Sequence, residues 1–468
     1  MRRSRLALAA ALLALACGGA ASAVPAASGD AAPTTQELTI SAPDGTPLAC
    51  GLVLPAGSPP AGGWPGLLLF PGLGQTHADL EALASQAFAP AGFASLACDP
   101  RGSGGSGGQF GLDGPQEAQD ARALFDWLAA QPEVSDTAIG AVGLSLGGGE
   151  VWNAAVAGVP FKAIVPGLSW TNLARALAPA GVPKTGLIAG LGPPPASWQP
   201  GLAQVRADLL AGSLSPADRA ALAVRSARAR LRSLAVPALI VQGRHDLLFD
   251  LDQALAAYRL LRGPKRLYLG DLGHPPAAAN PSAELPHYLA EVVAWLRRYL
   301  AGGPPVGGGV ELAHDPWDGT TSVFRGVPRT RSASVALPGT TTLSGDGTLR
   351  RSARLTGGPL ETFGDGSLRV RYSGATPGWT QLAATVWAQG QRQPVTDGAV
   401  RIRRPAGVVR IPLADEAVLL PRGKALVVTL GASSSDGVYQ APPASGPASI
   451  TIGRVTLRLS LLWRAVSR

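Results

Sequence analysis

Apolar and polar positions between residues 36 and 302 follow two periods in turn. Short, mostly apolar runs of strand length recur at 66–70, 93–98, 138–144, 161–165, 238–242 and 266–269, with longer amphipathic stretches between them. In 116–130 the apolar positions Ala118, Ala121, Leu124, Phe125 and Leu128 keep helical spacing, and Leu289, Val292, Val293, Leu296 and Leu300 do so near the end of this region. Such stripes are the buried faces of helices, so strand and helix in alternation predict an α/β domain. Ahead of it, 37–43 and 47–55 read as two strands joined by Asp44-Gly45, a hairpin signal.

Two stretches break this rhythm. Residues 170–233 open on a Gly/Pro-rich segment, Gly190 to Pro195, and continue as helix-like pieces, which predicts an inserted cap with Trp170 and Trp198 either lining a pocket or packing onto the body. Residues 303–309 have linker composition. Beyond them the period becomes two: Leu368, Val370 and Tyr372 alternate with Arg369 and Arg371, and Val455, Leu457, Leu459 and Leu461 with Thr456, Arg458 and Ser460. The expectation for 310–468 is an all-β sandwich, with the α/β domain occupying 24–302.

Gly143-Leu144-Ser145-Leu146-Gly147 writes G-x-S-x-G behind an apolar run and ahead of a helix-like segment. A strand-to-helix turn of this kind exposes the serine hydroxyl, and its glycines let strand and helix approach closely. Gly104-Gly105-Ser106-Gly107-Gly108 fits the same pattern but lies in a glycine run with no helix directly behind it. Ser145 is therefore the candidate nucleophile. It needs a base and an orienting acid. His274 follows the run 266–269 in a loop at a strand's carboxyl end, where active-site groups of open α/β sheets gather, and is preferred over His77, His245, His287 and His314. Asp246 leaves the run 238–242 and lies between Ser145 and His274, ahead of its rivals Asp250 and Asp252. The oxyanion donors expected are the backbone N–H groups of Leu146, just after the serine, and of Leu73 in the glycine loop after the third strand.

The formal charge of +9 is carried by arginines spread along the chain with no basic block, so nucleic acid is not an expected partner. Five histidines without H-x-x-x-H or C-x-x-C spacing predict no metal site. Gly102 to Gly107 matches G-x-G-x-x-G, but the next helix begins only after Pro115 and cannot present its N-terminus to a pyrophosphate, so no nucleotide cofactor is expected. Residues 1–23 read as an export signal: Arg2, Arg3 and Arg5, an apolar run from Leu6 to Ala16, then Ala21-Ser22-Ala23. Secretion or periplasmic residence follows, with lipid attachment at Cys17 as the alternative. Cys50 and Cys98 then remain; export permits a disulfide, and buried unpaired cysteines are the preferred reading.

Taken together, the nucleophile segment Gly143 to Gly148 and the run Asp99-Pro100-Arg101-Gly102 to Gly108 resemble the Xaa-Pro dipeptidyl-peptidase and cocaine-esterase-like family of α/β-hydrolases. The resemblance implies an α/β-hydrolase fold with a helical cap, followed by a jelly-roll β domain, of which Leu420 to Leu426 resembles a segment. It places nucleophile, acid and base on Ser145, Asp246 and His274 and makes Asp99 and Arg101 structural. The family usually has tyrosine where Leu146 stands, and a tyrosine from the loop after the third strand often completes the oxyanion hole; 71–74 contain none, so a backbone donor must substitute. The expected activity is hydrolysis of carboxylic esters through an acyl-enzyme. The alternatives are Xaa-Pro dipeptide release and a non-catalytic exported binding protein.

Overall fold

The computed structural model describes residues 32–191, 197–274, 280–356, 359–443 and 446–463. The expected leader 1–23 and Cys17 lie outside them. No helix among the described residues is long and apolar enough to cross a membrane.

A ten-stranded sheet organises the first part of the chain. Its strands are β1 (Thr34–Ser41), β2 (Pro47–Leu54), β3 (Trp64–Phe70), β4 (Ala94–Cys98), β5 (Val134–Leu144), β6 (Ala163–Gly167), β7 (Ala238–Gly243), β8 (Lys265–Gly270), β9 (Gly309–Ala313) and β10 (Thr321–Phe324). They lie in the order β1-β2-β4-β3-β5-β6-β7-β8-β9-β10, with every pair from β4 to β9 parallel. Alternate residues of the central strands enter different cores, as a sheet covered on both faces requires. Leu68 and Ile240 pack with helices Pro115–Ala129, Leu146–Ala157 and Leu251–Leu260; Leu67, Leu69, Leu239 and Val241 pack with His77–Leu83 and Leu285–Leu300. Each buried leucine or valine contributes roughly 1.5–3 kcal/mol of transfer free energy.

Between β6 and β7 the chain forms the short helices Leu173–Leu177, Thr185–Gly190, Leu202–Leu210 and Pro216–Ala223. The last is well specified: Ser215 accepts from the amide of Asp218, whose carboxylate accepts from Ser215 N–H, and Pro216 opens the first turn.

The expected division at 303–309 is corrected. β9 pairs in parallel with β8 and β10 returns antiparallel to it, so 309–324 extend the first sheet. A five-residue strand behind a glycine run reads as part of the β domain because its pairing partner lies 43 positions earlier, Arg266 opposite Gly309. The β region's own sheets begin at Thr330. In one, Thr330–Leu337, Ser449–Leu462, Leu360–Ser373 and Gly407–Glu416 lie side by side; in the other, Leu349–Arg354, Ala425–Gly431, Gln381–Ala388 and Pro394–Arg401. Leu368, Val370, Val455, Leu457, Leu459 and Leu461 all enter the core between them, as the period-two alternation requires.

The two halves are joined by specific contacts. Arg244, which also holds the Ala313 carbonyl at the end of β9, donates to the carbonyl oxygen of Ala417 and to Glu361 of the β region, and Thr185 Oγ1 exchanges hydrogen bonds with the backbone of Gln440. Cys50 and Cys98 are a disulfide, not the unpaired cysteines expected. They stand directly opposite one another where β2 runs antiparallel to β4, a juxtaposition that strand register decides and the sequence does not show.

Candidate active site

β5 ends in a turn tight enough to hold Ser145 at φ 57° and ψ −118°, a left-handed conformation for a residue with a Cβ. Such conformations cost on the order of 1–3 kcal/mol and persist only where the surroundings impose them. Here they do. A Cβ on Gly143 would collide with the backbone of Gly147, and one on Gly147 with the carbonyl oxygen of Phe70. The two flanking glycines thus let helix Leu146–Ala157 start against β5 and against the loop leaving β3.

The strand ends bring three side chains together. His274, beyond β8, sets its Nε2 2.9 Å from Ser145 Oγ and its Nδ1 2.8 Å from Asp246 Oδ2, beyond β7. Asp246 is fully buried, and its Oδ1 accepts from the amides of Leu248 (3.0 Å) and Phe249 (3.1 Å). One oxygen fixes the carboxylate in its loop while the other faces the imidazole. The Phe249 ring meets His274 edge-on at 5.2 Å, which limits rotation of the imidazole. A carboxylate on Nδ1 leaves Nε2 as the nitrogen that faces the serine hydroxyl, the geometry in which an imidazole takes a proton from it.

The amide of Leu146 opens a helix, where a backbone N–H has no acceptor within the helix itself. Leu73 sits in the turn 72–75, closed by Gln75 N–H to Gly72 O and by Gly72 N–H to Gln75 Oε1. That loop lies against the nucleophile turn, since a Cβ on Gly72 would come within 3.5 Å of Leu144 O. Leu146, Leu73 and Phe249 also belong to one apolar cluster with Phe110, Trp170, Leu173, Leu177, Ile188 and Leu248. Trp170 and Trp198 both join it, Trp170 with its indole N–H on the Arg225 carbonyl. The cap therefore covers the site with apolar side chains.

The other candidates are engaged elsewhere. Ser106 donates to the Asp99 carbonyl (2.7 Å) and accepts from the Ala49 amide (2.9 Å). His77 lies between Asp99 and Glu37, and His287 on Glu311. Asp252 pairs with Arg175 and Arg228, and Asp250 precedes helix Leu251–Leu260. Asp99 accepts from the amides of His77 and Gly105, and Arg101 grips Asp120 through two bonds of 2.6 Å, so both organise the glycine loop. The sequence reading missed Lys184: wholly buried in the cap, it donates through Nζ to the Leu247 and Leu248 carbonyls beside Asp246. Nothing local marks it.

On and against helix Leu146–Ala157 lies a group of buried carboxyls. Burial pushes Asp113 and Glu150 well above the usual carboxylate range, aided by the charge of Glu117, and Glu117 is itself raised by burial. With Leu146, Phe70 and Pro71 they line a cavity of about 30 Å³, room for about one water.

A covered parallel sheet with this turn, cap and strand-end loops is an α/β-hydrolase fold, and a β-sandwich follows it. Residues 44–191 match the family described as X-Pro dipeptidyl-peptidase (S15 family), the part of the chain that carries the Asp99 to Gly108 run and the Ser145 turn. Over 89 residues, 19% of the chain, it is 36% identical to an uncharacterized 31.7 kDa protein of Escherichia coli, and the match spans about a third (31%) of that relative's length. In fold it is similar to a CocE/NonD family hydrolase from Staphylococcus aureus, with TM-score 0.69 and 13% identity over 92% of this chain and 94% of the other. An α-amino acid ester hydrolase gives TM-score 0.67 at 14% identity, covering 94% and 98%. An aminopeptidase from a marine sediment archaeon gives 0.66 at 15%, covering 95% and 99%.

Proposed function

We propose that this chain is an exported serine hydrolase that cleaves carboxylic esters through Ser145, His274 and Asp246. The observation that carries the reading is the unbroken series Ser145 Oγ, His274 Nε2, His274 Nδ1, Asp246 Oδ2, at 2.9 and 2.8 Å. Ser145 attacks the carbonyl carbon while His274 takes its proton, and the Leu73 and Leu146 amides receive the oxyanion. His274 then protonates the leaving group, and water, activated in the same way, releases the acid from the acyl-enzyme. An ester is favoured over an Xaa-Pro peptide because the cluster that joins the cap to Leu73, Leu146 and Phe249 is apolar, and the carboxyls Asp113 and Glu150 near Leu146 are buried and raised by that burial. Export is supported by the leader-like 1–23 and by the Cys50–Cys98 disulfide.

A fluorophosphonate should label wild type and leave Ser145→Ala unlabelled, and that substitution should reduce turnover by roughly 10⁶. Undiminished hydrolysis by Ser145→Ala would sink the assignment. A nitrophenyl acyl ester set against a Gly-Pro anilide decides the substrate class: faster turnover of the anilide would replace the ester reading by dipeptide release.

A further inference from the structure

Beneath the loops that carry Asp246 and His274 lies a second group of side chains that the proposed reaction does not use. His245 immediately precedes Asp246, Asp271 stands three residues before His274, and Asp315 comes from the segment joining β9 to β10. His245 and Asp271 are 5% and 2% exposed. His245 Nε2 lies 3.3 Å from Asp315 Oδ2 and 3.5 Å from Asp271 Oδ1, and the three atoms are all within 4.8 Å of one another. These separations exceed the 2.8–3.0 Å between histidine and carboxylate at His77, His274 and His287. Asp271 Oδ1 has no hydrogen-bond partner among the described residues, nor has His245 Nδ1. A buried carboxylate oxygen without a donor is costly unless a cation completes it.

We propose that His245 Nε2, Asp271 Oδ1 and Asp315 Oδ2 form a site for a divalent cation of the zinc type. Zinc bonds of about 2.0–2.2 Å in tetrahedral geometry separate the ligand atoms by roughly 3.3–3.5 Å, the spacing His245 Nε2 shows to both carboxylates. One imidazole and two carboxylates suit zinc; calcium would need about 6–8 oxygens. Both carboxylates are already oriented: Asp271 Oδ2 accepts from Trp317 N–H (3.0 Å), and Asp315 Oδ2 uses a second lone pair on Leu419 N–H (2.8 Å). The guanidinium of Arg244, 3.9 Å from Asp315, is matched by Glu361, so Asp271 and Asp315 leave two negative charges for a dication to neutralise. Such an ion would clamp the acid loop, the base loop and the β9–β10 segment together. Its ligands come from three separate loops, which is why no spacing motif announces it.

The full-length exported chain, stripped with a chelator and dialysed, is titrated with zinc by calorimetry and followed by thermal melting. The result expected is one zinc per chain with a rise in Tm, and affinity about 10- to 100-fold weaker in His245→Gln and Asp271→Asn. Asp315→Asn, at the less buried edge, gives the same loss if the other variants do not fold. Folded wild-type protein that takes up no zinc overturns the proposal and leaves His245 Nε2 as a hydrogen-bond donor between the two carboxylates. Uptake undiminished in the folded variants overturns it equally, placing the metal elsewhere, as at His287, Glu291 and Glu311.

Discussion

Lys184 Nζ is 2.5 Å from the carbonyl oxygen of Leu247 and 3.1 Å from that of Leu248, so a cap residue holds the turn in which Asp246 is fixed. Asp397 and Glu416, both buried and raised by that burial, also feel its charge. Lys184→Met should cost at least the roughly 1.5–3 kcal/mol of hydrogen bonds to a charged group. Urea denaturation measures that loss, and a fall in kcat larger than the rise in KM would show that the acid loop has shifted.

Asp246→Asn keeps an oxygen for the Leu248 and Phe249 amides yet replaces the charge facing His274. Turnover should fall by about 10⁴ with little loss of stability. Steady-state kinetics beside a thermal melt separates the two effects, and an active Asp246→Asn would move the acid to another residue.

Gly147→Ala drives a methyl group into the carbonyl group of Phe70, with Pro71 O also within 3.0 Å, and backbone cannot swing aside as a flexible side chain could. Activity should be lost together with folding yield. Gly158→Ala, at the other end of the same helix and without a steric neighbour, is the control: its positive φ alone should cost about 1 kcal/mol.

The disulfide closes 48 residues between Cys50 and Cys98, which corresponds to about 4 kcal/mol of chain entropy removed from the unfolded state. A Cys50→Ala, Cys98→Ala double variant should lose about 2–4 kcal/mol in denaturant melts. Turnover at low temperature should be retained, because β3 stands between β4 and β5, the strand that leads into Ser145.

Burial raises Asp113 and Glu150, so between the unfolded carboxylate value and the raised ones the folded chain holds protons that the unfolded chain has released. Their contribution is therefore present in full at low pH and lost as pH rises through the folded values. Glu150→Gln removes that loss. Its Tm relative to wild type should improve from pH 5 to pH 8, and a difference independent of pH would mean that the pair is not protonated in the folded state.

The strand-end positions of Ser145, Asp246 and His274 were legible because each loop follows an apolar run that only a buried strand explains. The period-two residues from Leu368 to Leu461 were legible for the same reason, since a sheet face writes itself directly into the chain. Lys184, the Cys50–Cys98 pair and strand 309–313 were not. Their meaning lies in partners 40 to 65 positions away, and local pattern carries no record of which strands will meet. Leu146 acquires its setting only once Trp170 of the cap and Phe249 of the acid loop enter the same cluster.

The strands β9 and β10 make the glycine run at 302–309 a false seam. Cutting the gene there would strip two strands from the hydrolase sheet, bare the edge of β8 and remove the Ala313, Glu361 and Ala417 groups that Arg244 binds. The halves are thus bound through their strands: residues 32–302 expressed alone should aggregate through an open strand edge, and exchange of the β-sandwich should succeed only with a junction placed beyond Phe324.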